Sequence, residues 1–180
     1  MPIQLIASDL DETLLNQRAE LTSRTIRTLK RAMEAGALVT LASGRMVKAM
    51  SVYAGQIGVN APLIAFNGAL LYDPVARNTI AAREVPVEDA RQVARFAEER
   101  GIHVQAFTRE GYCCERENAF SDLYARGIGG IWGEAVGVKL SGWIDGPLCK
   151  LLLIAEPMVT SALARELAPM FAGRMEIALS

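Results

Sequence analysis

The chain has 180 residues, of which 51% are hydrophobic and 22% charged, enough for a packed core in one ordinary domain or two small ones and too apolar for wholesale disorder. Its 19 basic and 20 acidic residues leave a formal net charge of -1, which gives no electrostatic reason to expect nucleic acid or an anionic membrane as partner. Three cysteines, two of them adjacent, do not make a disulfide framework, and a reducing, cytoplasmic setting is expected. The N-terminus lacks the basic flank and long apolar run of a secretion signal, and polar residues break every run that could span a bilayer.

Ile3 to Ala7 is too short for a helix and reads as a buried strand. It leads into Asp9-Leu10-Asp11, two carboxylates flanking one leucine. If the strand ends near Asp9, both carboxylates can point at one pocket, because open α/β sheets bind ligands beyond the carboxyl ends of their strands. The first carboxylate would be a nucleophile or metal ligand, and the second a proton donor and acceptor. The alternative is a strand followed by a solvated acidic turn.

Thr22 is a candidate cap for a helix in which Ile26, Leu29 and Met33 recur at helical spacing, ended by Gly36. Its arginines, Arg24, Arg27 and Arg31, read as a solvated face. Ala37 to Ala42 is a second strand, followed by Ser43-Gly44-Arg45 and a helical pattern from Met46 to about Ile57. This strand–turn–helix places a hydroxyl and backbone N–H groups at a helix N-terminus, a natural anion site, with Gly44 allowing close backbone approach. Pro62 to Phe66 is a third strand, and Asn67-Gly68 after it is first of all a tight-turn signature.

From about Thr79 the pattern changes. Thr79 to Val85 is a short strand candidate and Pro86 to Arg100 a helix. Ile102 to Thr108 and Tyr112 to Glu115 can pair across a turn, Phe120 to Arg126 is a short helix candidate, and 127–146 is glycine-rich. Leu148 to Ala155 is an apolar strand, Val159 to Phe171 a helix, and Met175 to Leu179 a final strand. Helices alternating with antiparallel strands suggest an α+β layer. His103 lies in an apolar strand and reads as structural, and Cys113-Cys114 has no companions for zinc.

Asp9-Leu-Asp11-Glu-Thr13-Leu-Leu15 resembles the first motif of the haloacid dehalogenase-like (HAD) hydrolase superfamily. Through Ser43-Gly44-Arg45 and Asn67-Gly68 the likeness extends to its Cof-type phosphatases, which carry a large inserted cap. Glu12 stands where the family more commonly has glycine. The resemblance implies an α/β fold: an incomplete Rossmann-like parallel-sheet core over residues 1–78 and an α+β cap over 79–180. The C-terminal core portion, with a lysine and a Gly-Asp-x-x-x-Asp-type motif, is expected to be absent from these residues. Leu5 and Ile6 would then lie on an open sheet edge, and pairing with another copy through that edge is expected.

The resemblance further implies a magnesium-dependent phosphate monoester hydrolase acting through an aspartyl-phosphate on a small phosphorylated metabolite. Asp9 would attack phosphorus, and Asp11 would protonate the leaving oxygen and then activate water. Asp9 and Asp11 would hold Mg2+. Ser43, Gly44, Arg45 and Asn67 would meet the phosphoryl group or substrate, with a salt bridge as the alternative for Arg45. With two carboxylates missing, the chain alone is expected to be weak or inactive. Two other readings stay open: a phosphoacceptor signalling domain, and a catalytically silent ligand-binding or scaffold fragment.

Overall fold

A computed structural model describes residues 3–179. The chain divides into two compact units, Met1–Arg83 and Glu84–Ser180.

In the first unit, β1 (Leu5–Ser8) pairs in parallel with β2 (Leu38–Leu41), from Leu5 opposite Leu38 to Ser8 opposite Leu41. Between them runs α1 (Ser23–Glu34), capped by Thr22, whose hydroxyl oxygen accepts the Thr25 N–H at 3.1 Å. After β2 comes α2 (Val47–Ile57), which ends on the left-handed Gly58. β3 (Leu63–Ala65) joins β2 through the parallel bridge of Ala42 to Ile64. Asn60 fixes this approach: its side-chain oxygen accepts the Val39 N–H at 2.7 Å and its amide nitrogen donates to the Ala37 carbonyl at 3.2 Å. The three strands run the same way, so their carboxyl ends share one edge.

Both helices pack on β2 and touch each other. Leu41, Met46, Met50, Ile57 and Leu63 are at most 1% exposed in that core. Fully burying one such side chain is worth roughly 1.5–3 kcal/mol. Around β1 the burial is thinner. Ile3, Leu5 and Leu38 remain 74%, 55% and 49% exposed, and among the described residues β1 pairs only with β2.

β4 (Leu70–Asp73) and β5 (Asn78–Ala82) continue antiparallel from β3. The strand expected over 79–85 as the opening of a second segment is therefore part of the first unit, and the division falls at 83/84 rather than 78/79. The reason is local: Asp73 Oδ1 accepts the N–H groups of Val75 and Ala76, closing a short turn that returns the chain onto β4.

The second unit is a sheet ordered β8-β7-β6-β9, where β6 is His103–Phe107, β7 Tyr112–Cys114, β8 Glu134–Ala135 and β9 Lys150–Ile154. On one face, Val104, Ala106, Cys113, Leu151 and Leu153 pack against α3 (Val87–Glu99), the short α5 (Leu140–Trp143) and α6 (Pro157–Met170). Arg174 and the buried Asp89 form an ion pair there. On the other face lies α4 (Ala119–Gly127), with Tyr124 edge-on to Phe107 at 5.6 Å and Phe120 stacked on His103 at 6.2 Å. The final strand expected over 175–179 does not form. Met175 and Ile177 pack against the Phe171 cluster instead of entering the sheet. Among the described residues, no helix is long and apolar enough to cross a membrane.

His103 is held between two amides. The Asn118 side-chain oxygen caps α4 by accepting the N–H groups of Phe120 and Ser121, so its amide nitrogen faces His103 Nδ1 at 3.0 Å. Nδ1 is thus the acceptor, and on the other side of the ring Gln105 turns its side-chain nitrogen, also a donor, toward Nε2 at 3.2 Å. A second ring proton would confront the Asn118 donor, and burial already lowers the pKa of His103 below its ordinary 6.5. The unfolded chain takes up that proton at higher pH than the folded one, so stability is complete above 6.5 and declines as pH falls below it. The denaturant midpoint is expected to drop between about pH 7.5 and pH 5.5, and to drop less in His103→Gln. Equal drops in both proteins would exclude His103 as the source.

Candidate active site

The shared edge of β1, β2 and β3 carries Asp9, Asp11, Ser43, Gly44, Arg45 and Asn67, each within four residues of a strand end. Asp9 follows β1 directly and is exposed. Among the described residues its carboxylate has no hydrogen-bond or ion-pair partner.

After Asp9 the chain turns through Leu10–Leu14, closed by the Leu15 N–H on the Leu10 carbonyl at 2.9 Å. Leu10 is fully buried and anchors the turn, which leaves Asp11 facing outward. Glu12 takes the left-handed conformation, φ 57° and ψ 8°. That explains the family's commoner glycine at this position, since the left-handed region costs an L-residue roughly 1–2 kcal/mol.

Asp11 is bound by Arg45. The guanidinium donates from Nε to Oδ2 at 2.8 Å and from Nη2 to Oδ1 at 2.7 Å. The arginine side chain is 9% exposed and the aspartate 51%. Of the two options weighed for Arg45, the structure displays the ion pair. Beside it the Tyr53 ring lies 5.7 Å from the guanidinium carbon. Tyr53 was missed in the sequence, because it lies on α2 while Arg45 stands before the Met46 cap, outside the helical repeat that could have linked them.

Ser43 is buried, and its hydroxyl oxygen accepts the Arg45 N–H at 3.2 Å, which leaves the hydroxyl proton to donate elsewhere. Three main-chain bonds fasten this turn to its neighbours, one to β3 and two to the turn 66–68. Ser43 N–H donates to the Ile64 carbonyl, Phe66 N–H to the Arg45 carbonyl and Asn67 N–H to the Ser43 carbonyl, at 2.9, 3.1 and 3.0 Å. Phe66 and Asn67 are both left-handed, with φ 51° and 55°. A Cβ on Gly44 would come within 2.7 Å of the Asn67 side-chain oxygen, so a larger residue there would have to displace the Asn67 side chain. The edge thus brings Asp11, Arg45, Ser43, Gly44 and Asn67 into one connected set, with Asp9 at its margin.

Further ionisable and nucleophilic residues lie in the second unit. Lys150 opens β9 with its ammonium 5.8 Å from the Phe107 ring centre, and burial lowers its pKa. Burial pushes the thiols of Cys113 and Cys149 up to about 12 and about 11, which makes them poor nucleophiles. Among the described residues, no group of three or more His, Cys, Asp or Glu side chains is arranged to hold a metal ion.

Residues 6–126 match the family model of the haloacid dehalogenase-like hydrolases, and the chain belongs to that family. It is 35% identical over 103 residues to the pyridoxal phosphate phosphatase YbhA of Escherichia coli, covering 57% of this chain and 38% of the relative. It is 29% identical over 100 residues to the 5-amino-6-(5-phospho-D-ribitylamino)uracil phosphatase YitU of Bacillus subtilis, covering 55% and 37%. The chain therefore spans about four-tenths of the length of these relatives. A crystal structure of a haloacid dehalogenase-like hydrolase from Bacteroides thetaiotaomicron superposes on it with a TM-score of 0.87 at 20% identity, covering 99% of this chain and 68% of that one. A Thermotoga maritima protein superposes with a TM-score of 0.77 at 27% identity, covering 96% and 64%. These likenesses establish the α/β fold of the family.

Replacing Glu12 by glycine removes the left-handed penalty and adds back part of it as unfolded-state entropy. Glu12→Gly is expected to raise stability by about 0.5–1 kcal/mol in denaturant titrations. A loss of stability would show that the Glu12 side chain contributes more than its backbone costs.

Proposed function

We propose that this chain carries the nucleophile and acid–base half of a phosphate monoester hydrolase that acts on a small phosphorylated metabolite. The observation that supports this best is the asymmetry of its two rim carboxylates: Asp9 is exposed and without a partner among the described residues, while Asp11 is held by Arg45. An unencumbered carboxylate suits attack on phosphorus, and a held one suits directed proton transfer. The phosphatase names of the relatives support the same substrate class.

In this reading Asp9 forms a bond to phosphorus while the ester oxygen leaves with a proton from Asp11. Asp11 then takes a proton from water, and that water releases phosphate from Asp9. The Ser43 hydroxyl donates to a phosphoryl oxygen. The Asn67 side chain and the main chain at Gly44 line the same edge as phosphate contacts.

The donor chemistry fits magnesium, which takes hard oxygens and is commonly held by one or two carboxylates together with water and substrate phosphate. The Asp9 carboxylate and the Asp11 main-chain carbonyl would hold it, whereas the Asp11 side chain would have to leave Arg45 to do so. When bound, the ion offsets charge between Asp9 and the phosphoryl oxygens. With so few protein ligands, affinity and turnover should be low.

Hydrolysis of a generic aryl phosphate with magnesium is expected at least roughly 100-fold below the ~10 per second of an ordinary enzyme. That turnover should disappear in Asp9→Asn. Equal phosphate release by wild type and Asp9→Asn would overturn the assignment of the nucleophile.

We also infer that the open β1 edge, with Ile3, Leu5 and Leu38 exposed beside it, pairs with a second copy of the chain. Light scattering at micromolar concentration should report a dimer that Leu5→Lys dissociates. A wild-type monomer with a cooperative melt would rule the association out.

A further inference from the structure

Asp11 depends on a single residue for its orientation. It sits in an exposed turn beside the left-handed Glu12, and among the described residues only Arg45 contacts its carboxylate. Arg45, by contrast, is fixed on several sides. Its side chain is buried, its N–H donates to Ser43 Oγ, its carbonyl accepts the Phe66 N–H at 3.1 Å, and Tyr53 flanks the guanidinium. A guanidinium fork imposes both plane and direction on the carboxylate it grips, which an ammonium cannot do.

We propose that Arg45 is a positioning residue that aims Asp11 for proton transfer, rather than a ligand of the phosphoryl group. The proposal rests on the phosphatase reading above. A carboxylate offers about four lone-pair sites and the fork occupies two, so each oxygen keeps one on which to carry a proton. In the first half-reaction the Asp9 oxygen–phosphorus bond forms, the phosphorus–ester oxygen bond breaks, and the proton on Asp11 passes to the departing oxygen. In the second half-reaction water adds to phosphorus, the Asp9–phosphorus bond breaks, and Asp11 recovers a proton from that water. The sum is ester plus water giving alcohol plus phosphate. Arg45 neither gains nor loses a proton.

This role separates substrates by their leaving group. An alkoxide departs only with a proton, whereas a dinitrophenolate departs without one. Loss of aim should therefore injure turnover of alkyl esters selectively, while loss of a phosphoryl contact would injure every ester and weaken binding.

The test compares glucose 6-phosphate with 2,4-dinitrophenyl phosphate in wild type, Arg45→Lys and Arg45→Ala, each with magnesium. Expected in Arg45→Ala is a loss of about 100-fold in kcat for the alkyl ester, less than about fivefold for the aryl ester, and little change in either KM. Arg45→Lys should recover only part of the alkyl-ester loss, because it keeps the charge and loses the fork. Equal losses on both esters, or a KM raised more than about tenfold, would overturn the proposal and assign Arg45 to the phosphoryl group. No turnover of either ester by wild type would overturn the phosphatase reading, and the positioning role with it. A second measurement needs no turnover: the Arg45 Nε–H resonance, identified by its loss in Arg45→Lys, should shift in Asp11→Asn. A resonance unmoved by Asp11→Asn would sink the proposal even if Arg45→Ala fails to fold.

Discussion

The parallel register between β1 and β2 is the constraint on which the rest of the first unit depends. It sets Ser8 opposite Leu41, so that the chain leaves both strands at the same level and on the same edge. The residues that follow, Asp9 on one side and Ser43 on the other, are neighbours because of that register and for no reason local to either segment. A slip by one residue would turn every side chain of β1 to the opposite face and bury the exposed set. Asn60 supports the arrangement by occupying the main chain of β2 with its own amide, which leaves β3 a single place to dock.

The site built on that edge combines rigid and strained parts. Leu10, fully buried, is the anchor from which the exposed Asp11 projects. Glu12, Phe66 and Asn67 occupy a backbone region that disfavours side chains, and all three lie in the turns that carry the candidate residues. Ala19 and Arg77 share that region outside the site, and the fold compensates for such local backbone cost by burial elsewhere, at Leu41, Met50 and Ile57.

Much of this was legible in the residues themselves. The apolar runs before Asp9, Ser43 and Asn67 placed all three strands, and Thr22 marked the first helix start, because those signals are local. The Arg45–Asp11 pair was present only as one of two options, since it joins positions 34 residues apart and requires the strand register to be known. Thr79 to Ala82 was assigned to the wrong unit because a β-rich segment does not announce which neighbour it pairs with. Met175 to Leu179 has strand-like residues, yet packing of Met175 and Ile177 onto the Phe171 cluster outweighed that preference. The acceptor role of His103 Nδ1 was beyond reach, because it follows from the cap that Asn118 makes 15 residues away.

The glycine at position 44 has a mechanical consequence. A methyl group there would press on the Asn67 side chain, and main-chain bonds cross from Ser43 and Arg45 to the other turn, so the two loops are tied together. A push on either loop is transmitted to the other as a joint displacement, and through the arginine's own backbone to the aspartate it grips. Occupancy felt near Asn67 would thereby be communicated to Asp11 without any side chain linking the two directly.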